Sequence, residues 1–200
     1  MATESLVAQL KVKRSEMMVS EVEDVALRMF AARGFDAVTV EDIASEAQIS
    51  VRTFYRYFPA KDDLFQVRID RRSEALTTAL AARPADEAPL HSIRLALEEV
   101  VGGEDTGLLR RWTTVIAANT TLVRSVLGGI QLKSQPVIAA FFGRRLGVPS
   151  DDLVPTMLAA ATGGVIQAAQ TQWFLEGGDL ATRMSEAFEV LEEMRWTAKA

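Results

Sequence analysis

Cysteine is absent from the 200 residues, which removes disulfides, thiolate zinc sites and cysteine nucleophiles at a stroke. Histidine occurs once, as His91, leaving little room for histidine-based metal or triad chemistry. No phosphate-cradling glycine motif is present. The adjacent carboxylate pairs Glu98–Glu99 and Asp151–Asp152 project from different sides of a helix and read as solvated or capping charge. An enzyme is not expected on this inventory, and neither is a cofactor. No apolar run reaches the roughly 18 residues of a membrane span. The N-terminal stretch, with Glu4, Lys11, Lys13 and Arg14, lacks the apolar core of a signal peptide. A cytoplasmic location without membrane association is the expectation.

What is present is ordinary in amount and unusual in distribution. Hydrophobic residues make up 48% and charged residues 24%, as in globular proteins, and the length suffices for a buried core in one or two domains. The formal net charge of −5 argues against nucleic acid only if the charge is spread evenly. It is not: between Ser50 and Arg72 stand Arg52, Arg56, Lys61, Arg68, Arg71 and Arg72 against Asp62, Asp63 and Asp70, and Lys11, Lys13 and Arg14 form a second basic cluster. Acidic residues gather near the other end, at Glu186, Glu189, Glu192 and Glu193. Placement of positive charge, not its sum, makes a nucleic-acid footprint.

Hydrophobic periodicity predicts an all-α chain without strands or internal repeats. Val22, Val25, Ala26, Met29 and Phe30 recur at helical spacing, giving an amphipathic helix over 19–33 that ends at Gly34. Thr39 caps a second helix, and Asp42 stands where a capping box wants its acidic partner. Ser50 caps a third, short helix that reaches Tyr57 and stops at Pro59. A fourth starts near Lys61, with Asp62 and Asp63 at the positive end of its dipole, and runs toward Leu80. The stretch from Arg83 to Pro89 reads as a loop or linker. Further helices are expected over 90–101, 105–118, 120–146, 151–176 and 179–197, with Pro136 kinking or splitting one of them. The domain division expected is 1–60, a three-helix helix-turn-helix domain, and 61–200, a helical ligand-binding and dimerisation domain.

The segment GFDAVTVEDIASEAQISVRTFYRYFPAKDDL, Gly34 to Leu64, carries the chemistry. Two short helices joined by a tight turn let the second enter a major groove while the first braces it. Phe54 and Phe58 fall at i, i+4 and anchor the third helix, so Arg52, Thr53, Tyr55 and Arg56 point outward. An arginine there can read guanine O6 and N7. Hydroxyls of Thr53, Tyr55 and Tyr57 can bond phosphates, and Lys61 can meet a phosphate at a helix start.

Gly34-Phe35, Thr39, Ile43-Ala44, Ala47, Ile49-Ser50, Thr53-Phe54-Tyr55, Tyr57-Phe58 and Lys61 closely resemble the TetR family of repressors, in identity, order and spacing, across about 45 residues. The resemblance implies base contacts near Val51, Arg52 and Tyr55, and phosphate contacts near Thr39, Thr53, Tyr57 and Lys61. It also implies a homodimer on a palindromic double-stranded operator, and a helical second domain that senses a small molecule. Ala60 departs from the pattern where a capping Ser is common, and Glu41 where some members place a base-contacting basic residue. RYFPAKDDL, LLRRW, RRLGV and QWFLEGG are similar to the subgroup of mycofactocin-type regulators, several of which respond to acyl-coenzyme A, which implies an effector of that class.

A sensor pocket needs an apolar enclosure with a few orienting polar groups. Trp112, Ile116, Phe141, Phe142, Met157 and Leu158 are candidates for the enclosure, with Asn119, Gln167 and Gln170 as polar contacts and Arg110, Arg111, Arg144 and Arg145 for an anionic group. The opposing interpretation makes them ordinary core residues and solvated charge. For dimerisation the candidates are Ala159, Ala160, Ala161, Gly163, Gly164, Val165, Ala168, Ala169, Gln172 and Trp173, then Phe188, Leu191 and Met194. The reading is a ligand-responsive DNA-binding regulator, a repressor released by a small hydrophobic effector. Its rivals are an activator and a ligand carrier or protein-interaction module that has lost DNA binding.

Overall fold

A computed structural model describes the backbone of residues 2–103 and 105–193. Among the described residues the chain is helical throughout: α1 (Ala2–Arg33), α2 (Val40–Glu46), α3 (Val51–Tyr57), α4 (Asp63–Ala82), α5 (Pro89–Gly102), α6 (Thr106–Ala117), α7 (Thr120–Leu146), α8 (Leu153–Glu176) and α9 (Leu180–Glu193). Two compact units emerge, one of Met1–Phe65 with Thr106–Asn119, the other of Gln66–Asp105 with Thr120–Ala200. Two features differ from the expected division at 60/61. The first turn of α4 packs with the first unit, and α6 joins that unit although its sequence neighbours belong to the second.

The reason α6 sits there is visible in its buried face. Trp112, Val115 and Ile116 are buried where α6 packs on α1, and Arg111 donates to Asp24 at 2.8 Å. The rest of this core comes from Val22, Val25, Ala26 and Phe30 of α1, Ile43 and Ala44 of α2, and Phe54 of α3. The rings of Phe30, Phe35 and Phe65 form a three-way cluster with centroids 5.0–6.0 Å apart. Lys61 closes it. Its ammonium donates to the carbonyls of Phe35 and Val38, both at 2.8 Å, and lies 4.1 Å from the Phe35 ring centroid. Replacing it, Lys61→Met, strands two carbonyls and removes two charge-assisted bonds, with an expected loss of about 2–3 kcal/mol. Urea unfolding of the variant checks this.

In the second unit α7 and α8 pack side by side, with α9 against both α8 and α5. The return between α7 and α8 depends on a missing side chain: a Cβ on Gly143 would meet the Val148 carbonyl at 2.9 Å. Pro136 neither splits nor ends α7, which runs unbroken from Thr120 to Leu146. Its ring lies on the exposed side of the helix and Leu132, one turn earlier, is exposed too, so water can take the carbonyl that proline leaves without a donor.

The stretch from Arg83 to Pro89 is held by a polar clasp. Arg83 donates to Glu87, as does Ser92 Oγ at 2.6 Å, while Arg145 from the end of α7 donates to the carbonyls of Pro84 and Ala85. The Arg83 guanidinium, then the Ser92 hydroxyl, hold the Glu87 carboxyl at a pKa of about 2 against an ordinary 4.5. A depressed carboxylate stabilises the fold fully above its unfolded value and ceases to do so as pH falls through its folded one. Acid titrations of wild type and Glu87→Gln should therefore differ above about pH 4.5 and converge toward pH 2.

Candidate nucleic-acid interface and internal cavity

Local capping sets where α2 and α3 begin and end, and packing holds them. Thr39 Oγ1 accepts from the Asp42 amide and the Asp42 carboxylate accepts from the Thr39 amide, each at 3.1 Å, which is the reciprocal box expected from the sequence. The Thr39 amide, aided by Arg33 at 3.1 Å, holds the Asp42 carboxyl below its ordinary pKa. At the end of α2, Gln48 donates to Ser45 O and Ile49 to Ala44 O, at 3.2 and 2.9 Å. That paired closure puts Gln48 at φ 54°, a left-handed position held by a residue with a side chain. Ser50 Oγ then accepts from the Thr53 amide at 3.0 Å and opens α3.

Packing orients α3 next. Phe54 is fully buried, with its ring 5.1 Å from that of Phe58. Arg52, Tyr55 and Arg56, at i, i+3 and i+4, are thereby left on the outer face, Tyr55 48% exposed. The Arg56 guanidinium stacks 4.8 Å from the Tyr57 ring centroid and donates to the Tyr57 hydroxyl at 3.3 Å. Val51 and Thr53 are half-buried at the start of the helix, and the Thr53 hydroxyl is bonded to Ser50 Oγ at 2.8 Å. Thr39 is exposed at the start of α2. Glu41 is exposed beside it, and an acidic group there weakens any approach of α2 to a phosphate. Lys61, expected at a phosphate, is turned onto the Phe35 and Val38 carbonyls. Ala60 offers α4 no side-chain cap, but its amide donates to Asp63 at 2.7 Å.

The second unit holds an apolar cavity of about 50 Å³. Ile69, Arg72, Ser73 and Leu76 of α4 form one wall, and Leu97, Val100 and Val101 of α5 another. Lys133 and Ser134 of α7, Ile166 and Gln170 of α8, and Met184 of α9 complete it. Lys133 is ion-paired with Asp70 at 2.8 Å.

The nine uncharged residues singled out in the sequence for a ligand are not brought together. Trp112 and Ile116 are buried in the first unit. Asn119 lines a separate hollow of that unit, about 330 Å³, and donates to Asp36 at 3.4 Å. Phe141 and Phe142 are buried in α7, with Arg145 5.0 Å from the Phe141 ring centroid. Met157 and Gln167 are exposed on α8. Of the nine, only Gln170 lines the apolar cavity. The walls from α4 and α5 were missed, although 69, 72, 73 and 76, and 97, 100 and 101, carry the helical spacing of an inward face.

The profile of bacterial regulatory proteins of the tetR family matches residues 24–67, and that of the MftR C-terminal domain matches residues 96–195. Among curated sequences, the chain is 29% identical over 180 residues to the HTH-type transcriptional regulator TcmR of Streptomyces glaucescens, covering 85% of this chain and 79% of that protein. It is 27% identical over 184 residues to the putative mycofactocin biosynthesis transcriptional regulator MftR of Mycobacterium tuberculosis, covering 90% and 91%. Among solved structures it shares its fold with the repressor FadR of Thermus thermophilus in complex with lauroyl-CoA. There the TM-score is 0.58 at 19% identity, over 91% of this chain and 97% of that one.

Proposed function

The chain belongs to the TetR family of bacterial transcriptional regulators, and from that premise we propose that it is a repressor released from a palindromic operator by a small hydrophobic effector. The observation that carries the DNA half is the outer face of α3, where Arg52, Tyr55 and Arg56 stand exposed on a helix fixed by its own cap and by Phe54. On this reading Val51, Arg52 and Tyr55 meet base edges, and Thr39, Thr53, Tyr57 and Lys61 serve the phosphates or the loops that approach them.

The effector half rests on the cavity of the second unit. At about 50 Å³ it is far below the roughly 300–1,000 Å³ of occupied ligand sites. An effector therefore enters only if α4, α5 and α9 part. A form that excludes the ligand and a form that admits it differ in affinity by construction, which is the requirement for a switch. Ile69, Arg72, Ser73 and Leu76 line the cavity on α4, and the first turn of that continuous helix packs with the DNA-binding unit. Displacement at the cavity is thus carried along α4. An acyl-coenzyme A suits these walls, its chain among the apolar residues and its phosphates near Arg72 and Lys133. The match to the MftR C-terminal domain and the lauroyl-CoA complex of a protein with this fold favour the same class.

Selection from a random duplex library, followed by release with lauroyl-CoA, tests both halves. The expected result is an enriched palindrome with half-site centres about 34 Å apart, and a 5- to 150-fold loss of affinity with ligand, a coupling of about 1–3 kcal/mol. No enrichment overturns the DNA reading. Enrichment without release by any saturated acyl-coenzyme A overturns only the effector class.

A further inference from the structure

Two polar side chains in the wall of the cavity have no hydrogen-bond partner among the described residues. Gln170 is 7% exposed and Ser134 9%, both line the cavity, and neither makes a hydrogen bond to any described residue. Thr162 on α8 bonds back to Leu158 O at 2.8 Å, as do Thr113 to Leu109 O and Thr171 to Gln167 O at 2.8 and 2.7 Å. Ser134, on the same kind of helix, makes no such bond and lines the cavity. A carboxamide and a hydroxyl that line a cavity without a protein partner keep their bonding capacity for whatever enters it. Groups left in this condition inside a pocket are suited to a ligand atom.

We propose that Gln170, with Ser134, reads an oxygen carried on the apolar body of the effector. The cavity thereby selects a carbonyl- or hydroxyl-bearing hydrophobe over a hydrocarbon of the same length. This rests on the reading that the cavity takes the effector, and it adds what the effector must carry. The Gln170 amide N–H and the Ser134 hydroxyl both donate, so a carbonyl oxygen between them is matched twice. An analogue without it leaves both unpaired, and a site built to bond an oxygen rejects such an analogue far more strongly than an apolar site distinguishes chain lengths.

The test compares lauroyl-CoA with S-dodecyl-coenzyme A, a thioether of the same chain and headgroup that lacks only the carbonyl. Wild type, Gln170→Leu and, should that fold poorly, Gln170→Met are each measured by calorimetric titration and thermal unfolding. The expected result is roughly tenfold or tighter binding of the thioester by wild type, with the preference lost in the variant. The ligand-free variant should melt at or above the wild-type temperature, because no protein bond is removed. Equal affinity of both compounds for wild type overturns the proposal and leaves the cavity as an effector site. Binding of neither compound overturns the acyl-coenzyme A reading instead, and the ligand-free melting then tells the cases apart: a less stable Gln170→Leu makes the carboxamide a structural group and ends the proposal. An equal or more stable one shows only that the carboxamide is not structural, and without a bound oxygen-bearing ligand the proposal falls too.

Discussion

Arg52→Ala is expected to remove most of the operator specificity while leaving the protein folded. Arg52 is exposed on α3 and makes no bond to any described residue, so its loss costs the fold little, within the range of ordinary surface substitutions. A bidentate arginine–guanine pair contributes about 1–3 kcal/mol of discrimination. A two-fold dimer makes the contact twice, so the affinity for the selected operator should fall by roughly 30-fold to 10⁴-fold. Arg56→Ala is the informative contrast. Its guanidinium lies over the Tyr57 ring, which holds it along the helix surface and suits it to a phosphate contact rather than a base edge. Its removal should weaken all duplexes alike and reduce the slope of log affinity against log salt by about one per contact. Polarisation titrations on the operator and a scrambled duplex, at several salt concentrations, separate the two. An unchanged operator affinity for Arg52→Ala would sink the assignment of α3 as the reading helix.

The parts of this molecule that were legible in the sequence are those fixed by local chemistry. The Thr39–Asp42 box, the Ser50 cap, the end of α1 at Gly34 and the inward faces of Phe54 and Phe58 each involve groups within four residues of one another, and each stands as expected. The turn at Gln48 was not foreseen, because a left-handed position usually announces itself as glycine. The length of α1 escaped for a similar reason: before Met18 its apolar residues keep no helical stripe, with Lys11, Lys13 and Arg14 breaking the row, so only 19–33 read as amphipathic. The cavity was beyond reach. Five helices supply its walls, and nothing in one sequence states which turn of α4 faces which turn of α7. Trp112 shows the cost of that gap. A large aromatic in the C-terminal half reads as pocket, yet α6 folds back on α1 and buries it in the other unit. The same blindness split the small-residue run of α8. Ala159, Gly163, Ala169 and Trp173 are buried within the unit, as is Phe188 of α9, while Ala160, Ala161, Gly164 and Ala168 are exposed. Met194, the other aliphatic candidate beside Leu191, lies outside the described residues.

That split sharpens the prediction for Ala168→Arg, which is expected to turn the dimer into monomers. The exposed side of α8 runs from Leu153, 80% exposed, through Met157, Ala160, Ala161, Gly164 and Ala168 to Leu175, 77% exposed. At 1.5 Å per residue it is about 33 Å long. Large apolar residues at both ends and small ones between them leave a shallow seat in which a second helix can approach closely. Members of this family bind their operators as dimers, and a two-fold interface presents the same surface from both sides. One substitution therefore enters twice, placing two cations near each other in a desolvated seam. Because Ala168 is exposed and arginine is a good helix former, the monomer keeps its fold and the cost falls on association. Losing the dimer also loses the high effective concentration of the second half-site, so operator affinity should fall by about 10²- to 10⁴-fold. Leu132→Arg, on the exposed side of α7, serves as the control and should leave the dimer intact. Sedimentation velocity at micromolar protein, paired with the operator titration, reads both effects. A dimer that survives Ala168→Arg with undiminished operator affinity would move the interface off α8. Dissociation by Leu132→Arg instead would place it on α7.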